Sequence, residues 1–161
     1  MKIAIVYYSM SGNTELIASM IADELSADMI RLIPEKSYPD KGMKKFLWGG
    51  KAAVMGDKPK LSPYAFDADK YDLILFGTPV WASNITPPIR SFIEDNRDSL
   101  TGKRFGAFFC YSGGGADKAS EKLRKLLNTE SFRAELILVD PKERTQSDYE
   151  DRVHTFCQSI I

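Results

Sequence analysis

The chain reads as an α/β domain: a doubly wound, five-stranded parallel sheet in the order 2-1-3-4-5, with helices on both faces. Three observations predict this. Short apolar runs recur along the 161 residues without polar alternation, as strands buried on both faces require. Between them lie segments whose apolar residues repeat at helical spacing. Strands and helices alternate, so successive strands join through right-handed crossovers into a parallel sheet.

The first strand is the run Ile3 to Tyr8. Met1 and Lys2 before it could suggest a secretion signal, but the run is very short and no small-residue cleavage pattern follows. Leu16, Ile17, Met20, Ile21 and Leu25 then form one helical stripe. Met29 to Ile33 reads as the second strand, ended by Pro34, and Leu73 to Phe76 as the third. Thr86-Pro87-Pro88 opens a helix, with Thr86 as N-cap, Pro87 in the first turn and Ile89, Phe92 and Ile93 facing the core. Phe105 to Tyr111 is the fourth strand, and Ala119, Leu123, Leu126 and Leu127 mark the helix after it. Ala134 to Val139 is the fifth strand. Tyr149, Val153, Phe156 and Ile160 give the last helix.

One segment breaks the alternation. Residues 34 to 66 exceed what a crossover helix needs. They hold a helix around Met43, Phe46 and Leu47, then Gly49-Gly50, then Lys51 to Met55. Lys41, Lys44, Lys45, Lys51, Lys58 and Lys60 make the excursion locally basic. The whole chain, 1 to 161, is expected to be one domain carrying this excursion.

Composition excludes several classes. Twenty-two basic and 22 acidic residues balance to zero, so no long-range field draws the chain to nucleic acid. No run reaches membrane-spanning length. Cys110 and Cys157 are far apart and lack metal-ligand spacing; two free buried thiols in a cytoplasmic protein are expected. With His154 the sole histidine, a histidine-based metal site or catalytic triad is not expected.

In this strand order, ligands bind at the carboxyl ends of the strands around the switch point between strands 1 and 3. After the first strand comes Ser9-Met10-Ser11-Gly12-Asn13-Thr14, with a helix opening directly. Small hydroxyl residues, a glycine and a helix N-terminus suit a phosphate, since the N–H groups and the dipole favour an anion. The loop holds no lysine or arginine, so a phosphate there would be neutralised by hydrogen bonds alone. A plain helix cap is the other reading. The Gly-Lys-Ser/Thr ending of an NTP-binding loop is missing, as is the Gly-x-Gly-x-x-Gly dinucleotide pattern. After the third strand comes Gly77-Thr78-Pro79-Val80-Trp81-Ala82-Ser83-Asn84, where Trp81 could stack on a flat ring or pack on the next helix. After the fourth comes Cys110-Tyr111-Ser112-Gly113-Gly114-Gly115-Ala116, whose glycines allow close approach of backbone to a ligand, or simply a flexible turn.

On these motifs the chain resembles the flavodoxin family along essentially its whole length. Flavodoxins carry Ser/Thr-x-Ser/Thr-Gly-Asn-Thr after the first strand, and Ser9 to Thr14 match it in full. The resemblance implies a flavodoxin-like fold and one non-covalent FMN. Ser9, Met10, Ser11, Gly12, Asn13 and Thr14 would bind its phosphate. Thr78, Pro79, Val80, Trp81 and Ala82 would line the isoalloxazine ring, with Trp81 stacking. Ser112, Gly113, Gly114 and Gly115 would meet the pyrimidine edge. Two departures stand out. The third loop offers no aromatic ring for the second flavin face, which is left open or covered by Phe46 or Trp48, and the acidic excess common in flavodoxins is absent. The resemblance implies an electron-transfer protein working between a reductase and an acceptor; an FMN-dependent NAD(P)H or quinone oxidoreductase taking a small quinone-like substrate is the alternative. A phosphoacceptor receiver domain is disfavoured, because acidic residues are missing after strand 1 and at the end of strand 3. A Cys-x5-Arg phosphatase fails too, since the arginine position holds Ala116.

Overall fold

A computed structural model of the chain describes every residue except 40, 41 and 143–147, and the side chains of 42–46 also lie outside it. The expected helix residues Met43 and Phe46, and Lys41, Lys44 and Lys45, fall in those stretches. The elements are β1 (Ile3–Tyr7), α1 (Asn13–Leu25), β2 (Asp28–Arg31), α2 (Gly42–Met55), β3 (Leu73–Pro79), α3 (Pro87–Asp95), α4 (Arg97–Leu100), β4 (Arg104–Tyr111), α5 (Ala116–Leu127), β5 (Glu135–Val139) and α6 (Tyr149–Ile160). All five strands are parallel, in the order β2-β1-β3-β4-β5. The expected topology is therefore the observed one.

Alternation along β1 shows how the sheet is covered. Ile3, Ile5 and Tyr7 pack under α1 and α6 with Ile17, Ile21, Val153 and Phe156. Ala4, Val6 and Tyr8 pack on the other face with Ile89, Phe92, Ala119 and Leu123 of α3 and α5. Buried Ala18 and Ala22 bring α1 close to the sheet and leave Leu16 and Met20 at its edge. Both faces are apolar, hence the unbroken runs.

Strand ends shift by a residue or two, the second strand running Asp28–Arg31 and not to Ile33, and three features differ for a tertiary reason. The third strand continues past Phe76 to Pro79, because Thr78 and Pro79 pair with Phe109 and Cys110 of β4. Gly49-Gly50 do not interrupt the excursion: α2 runs through them. A Cβ added at Gly49 would lie 3.1 Å from the Trp81 ring, so the missing side chain lets the helix lie against that indole. Thr86 precedes α3 with Pro87 in the first turn, but its hydroxyl does not cap the helix; it lies 3.0 Å from Thr78 Oγ1.

The excursion is stitched back to the sheet edge by Glu35 N–H donating to Lys60 O at 2.9 Å and Ser62 N–H donating to Ile33 O at 2.8 Å. Its basic character is partly cancelled locally, since Lys58 pairs with Glu94 and Lys60 with Glu35.

Cys110 and Cys157 are both buried and neither is in a disulfide, as expected. Burial, reinforced by Glu24, pushes the Cys157 thiol up to about 12. Neither cysteine should react with iodoacetamide at neutral pH in the folded protein, and both should react in denaturant. Mass spectrometry reads the result, and rapid labelling of the native chain would contradict it. His154 sits on α6 with Nδ1 2.8 Å from Glu24 Oε1 of α1. Among the described residues no helix is long and apolar enough to cross a membrane, and no cluster of ligating side chains could hold a metal ion.

Candidate functional site

The turns after β1, β3 and β4 leave the same edge of the sheet and enclose a cavity of about 640 Å³. It lies where strand order reverses, between β1 and β3, within the size range usual for small-molecule and cofactor sites. Met10, Ser11 and Asn13 line it from the first turn, Pro79, Val80, Trp81 and Ala82 from the second, and Ser112, Gly113, Gly114 and Gly115 from the third.

The first turn is built by local hydrogen bonding. Gly12 takes φ +96° and starts α1. Ser9 Oγ accepts the N–H groups of Gly12 and Glu15, each at 3.2 Å, so Ser9 caps the helix and does not face the cavity. Asn13 Nδ2 donates to Ser11 Oγ at 3.2 Å, and Asn13 Oδ1 accepts the N–H of Lys142 at 2.8 Å. Asn13 thus docks the turn that follows β5 onto the first loop. The Thr14 side chain is fully buried and its Oγ1 has no hydrogen-bond partner. Such an orphan costs about 1–3 kcal/mol unless a ligand satisfies it. Thr14 does not itself line the cavity, but a phosphate at this helix N-terminus would supply the missing acceptor, and in that respect the residues present fit the phosphate end of FMN.

The second turn differs from the expectation at Thr78. Its side chain is fully buried within β3. Its hydroxyl donates to Pro79 O at 2.8 Å and accepts the N–H of Thr86 at 3.2 Å. Thr78 therefore ties the strand end to the start of α3 and does not line the cavity. Beyond it Trp81 and Asn84 exchange N–H···O bonds of 3.0 Å in both directions. The two residues between them, Ala82 and Ser83, adopt φ +49° and +58°. This is the tight hairpin turn that glycine and asparagine usually supply, so two ordinary side chains hold it at a conformational cost. Lys122 of α5 latches it, its ammonium donating to Ser83 O at 3.1 Å and Asn84 Oδ1 at 2.6 Å.

Trp81 lines the cavity but is not a free platform. Gly49 backs the indole, and Tyr8 and Tyr38 meet it edge-on at centroid distances of 5.7 and 5.3 Å. Burial raises both phenols, Tyr38 up to about 12, so this wall stays uncharged at neutral pH. The third turn is open at two positions: a Cβ added at Gly113 or Gly114 would meet nothing within 4 Å. Gly115, at φ +84°, is tightly backed, since a Cβ there would lie 2.2 Å from Ser83 Oγ.

Several lining residues were not singled out from sequence: Gly50, Ser83, Cys110, Tyr111 and Asp140. Tyr111 supplies the aromatic ring that the third loop lacks, from the last position of β4. Asp140 is the residue immediately after β5, the edge strand away from the β1/β3 switch point. Trp48, considered as a cover for the second flavin face, is 60% exposed and does not line the cavity. Phe46 lies among the side chains not described.

Solved structures share this fold. A flavoprotein from Lactobacillus acidophilus, crystallised with FMN, is 21% identical with a TM-score of 0.70, over 93% of this chain and 97% of its own. A protein from Bacteroides eggerthii is 21% identical with a TM-score of 0.73, over 99% and 97%. Two-electron reduced flavodoxin from Megasphaera elsdenii is 17% identical with a TM-score of 0.58, over 98% and 99%. Likeness at this identity speaks for the fold. Residues 2–151, which include all three loops, match the family model for flavodoxin, and the chain belongs to the flavodoxin family.

Proposed function

We propose that the chain binds one FMN without a covalent bond in the cavity at the carboxyl edge of the sheet, and serves as an electron-transfer protein of flavodoxin type. The observation that carries this reading is the convergence of three loops on one cavity of about 640 Å³, with the buried Thr14 hydroxyl left without a partner next to the lining residue Asn13. A similar fold crystallised with FMN supports it.

The flavin supplies reversible one- and two-electron chemistry when bound. The chain supplies place and surroundings. The N–H groups of Ser11, Asn13 and Thr14 and the hydroxyls of Ser11 and Thr14 would hold the phosphate, while Ser9 keeps the loop in shape by accepting the Gly12 N–H. Pro79 to Ala82 and Ser112 to Gly115 border the ring, with Trp81 and Tyr111 as aromatic walls. None of the three loops carries a lysine or arginine. That environment disfavours extra negative charge on the ring and keeps its reduction potential low. No side chain is required as a general acid or base.

Adding FMN to flavin-free protein should quench flavin fluorescence at one equivalent, and a chain that ignores FMN would overturn the reading. Thr14→Val separates the ligand's contribution from the fold's. Without FMN the variant should be more stable by about 1 kcal/mol, because the orphaned hydroxyl is gone. Its FMN affinity should fall about three- to tenfold, because a donor to the phosphate is gone as well. Thermal melts with and without FMN read both signs.

A second reading, an FMN-dependent NAD(P)H or quinone oxidoreductase, draws on two observations. Net charge is zero, so the overall acidic excess that would favour docking to basic partners is absent. Gly113 and Gly114 also leave the third turn open toward solvent. Steady turnover of NAD(P)H with a quinone would establish this role. Reduction by a flavodoxin reductase without such turnover would establish the carrier.

A further inference from the structure

We propose that Lys142, in the turn after β5, is the counter-charge for the phosphate end of the site and sets its preference for FMN over unphosphorylated riboflavin. This rests on the FMN reading above and adds a residue that the three-loop pattern does not contain.

The first loop has no cation of its own, so a phosphate there would rely on N–H groups and hydroxyls. Folding changes that. Although 131 residues from Ser11, Lys142 brings its Nζ to 3.5 Å from the Ser11 carbonyl oxygen. The same ammonium lies 2.9 Å from the point where a Cβ on Gly12 would stand, so it rests on the bare face of that glycine. The backbone is fixed separately, through Lys142 N–H donating to Asn13 Oδ1 at 2.8 Å. The side chain can therefore be changed while the turn stays docked.

Electrostatics explain why this placement points to an anion. The N-terminus of α1 is the positive end of its dipole, where a cation is ordinarily unfavourable. The first-turn acid Glu15 is turned toward Arg31, with Nη1 2.5 Å from Oε1. Asp140, two residues before Lys142, lines the cavity, and the adjacent acid Glu143 lies outside the described residues. An ammonium, a helix N-terminus and the buried Thr14 hydroxyl without an acceptor meet at one loop. A dianionic phosphate satisfies all three, and bare riboflavin satisfies none.

The test is titration of flavin-free protein with FMN and with riboflavin, read by fluorescence quenching, at low salt and at about 0.3 M. Wild type, Lys142→Met and Lys142→Arg are compared. Lys142→Met should weaken FMN about tenfold or more, leave riboflavin unchanged and flatten the salt dependence, while Lys142→Arg keeps most of the affinity. Equal losses for both flavins, or no loss for FMN, would overturn the assignment while the FMN reading stands. Wild type that binds neither flavin would end both. Melting of the flavin-free variants separates loss of fold from loss of charge, and Lys142→Arg carries the comparison if the methionine variant does not fold.

Discussion

Gly115→Ala is expected to cripple the proposed flavin site while leaving a folded protein. Gly115 sits at φ +84°, where an L side chain is strained by about 1–2 kcal/mol. A Cβ there would also lie 2.2 Å from Ser83 Oγ, 2.8 Å from Ser83 Cβ and 3.0 Å from Ser83 Cα. The hydroxyl can rotate away, but the Cβ and Cα belong to a turn already held in the left-handed region and latched by Lys122. The turn must move as a unit, and it carries Ala82 and Trp81 of the cavity wall. FMN affinity should fall by about two orders of magnitude, since small misplacements of a positioning loop have effects of that size. Flavin-free stability should fall by about 2 kcal/mol. Adding Ser83→Gly removes most of the clash and one strained residue, so the double variant should recover affinity that neither effect alone predicts. Undiminished FMN binding in Gly115→Ala would show that the second and third turns do not form one wall.

Gly77→Ala is expected to have the largest effect on the fold itself. Gly77 pairs with Phe108 at the centre of the sheet, and the phenyl ring lies across it. A Cβ at Gly77 would meet Phe108 Cζ at 2.2 Å, Cε2 at 2.5 Å and Cε1 at 2.9 Å. Phe108 is fully buried under α1 and α6, so the ring cannot swing out to solvent. Overpacking of this kind costs about 3 kcal/mol, at the upper end of its usual range. The melting temperature should drop by roughly 6–12 °C for a domain of this size. Phe108→Leu in the same chain should restore part of the loss, because the smaller side chain vacates the ring's position. A melt within a degree of wild type would mean that the ring does not cover Gly77.

Both glycines show how differently two kinds of information are held in the chain. As sequence, Gly77 reads as the end of a strand and Gly115 as part of a loose loop. Folded, Gly77 is mid-strand beneath a ring, and Gly115 is the hinge of the cavity wall. The fold was legible because its determinants are local. Unbroken apolar runs announce strands covered on both faces, and apolar spacing announces the helices that cover them. The Ser9 to Thr14 loop was legible for the same reason, since a strand end, small residues and a helix start are neighbours in sequence. Thr78 reads in sequence as a lining residue, yet its environment is Thr86 at the start of α3, whose hydroxyl and N–H it meets only after folding.

By itself, then, the sequence determined the strand order, the edge of the sheet that bears the site and the three loops that border it. The strands, the helices and the loops follow from periodicity and short-range backbone geometry, and the strand order from the doubly wound arrangement that five such strands suit. Only the tertiary structure decided which side chains meet there: Lys142 on the Gly12 face, Lys122 under the Ser83 turn, Gly49 behind Trp81, and Tyr111 as the third loop's aromatic wall. Those contacts depend on how elements distant in sequence are rotated and stacked, and no local pattern encodes that. The first loop, which has no cation in sequence, has the Lys142 ammonium beside it in space, because the β5 turn docks on Asn13.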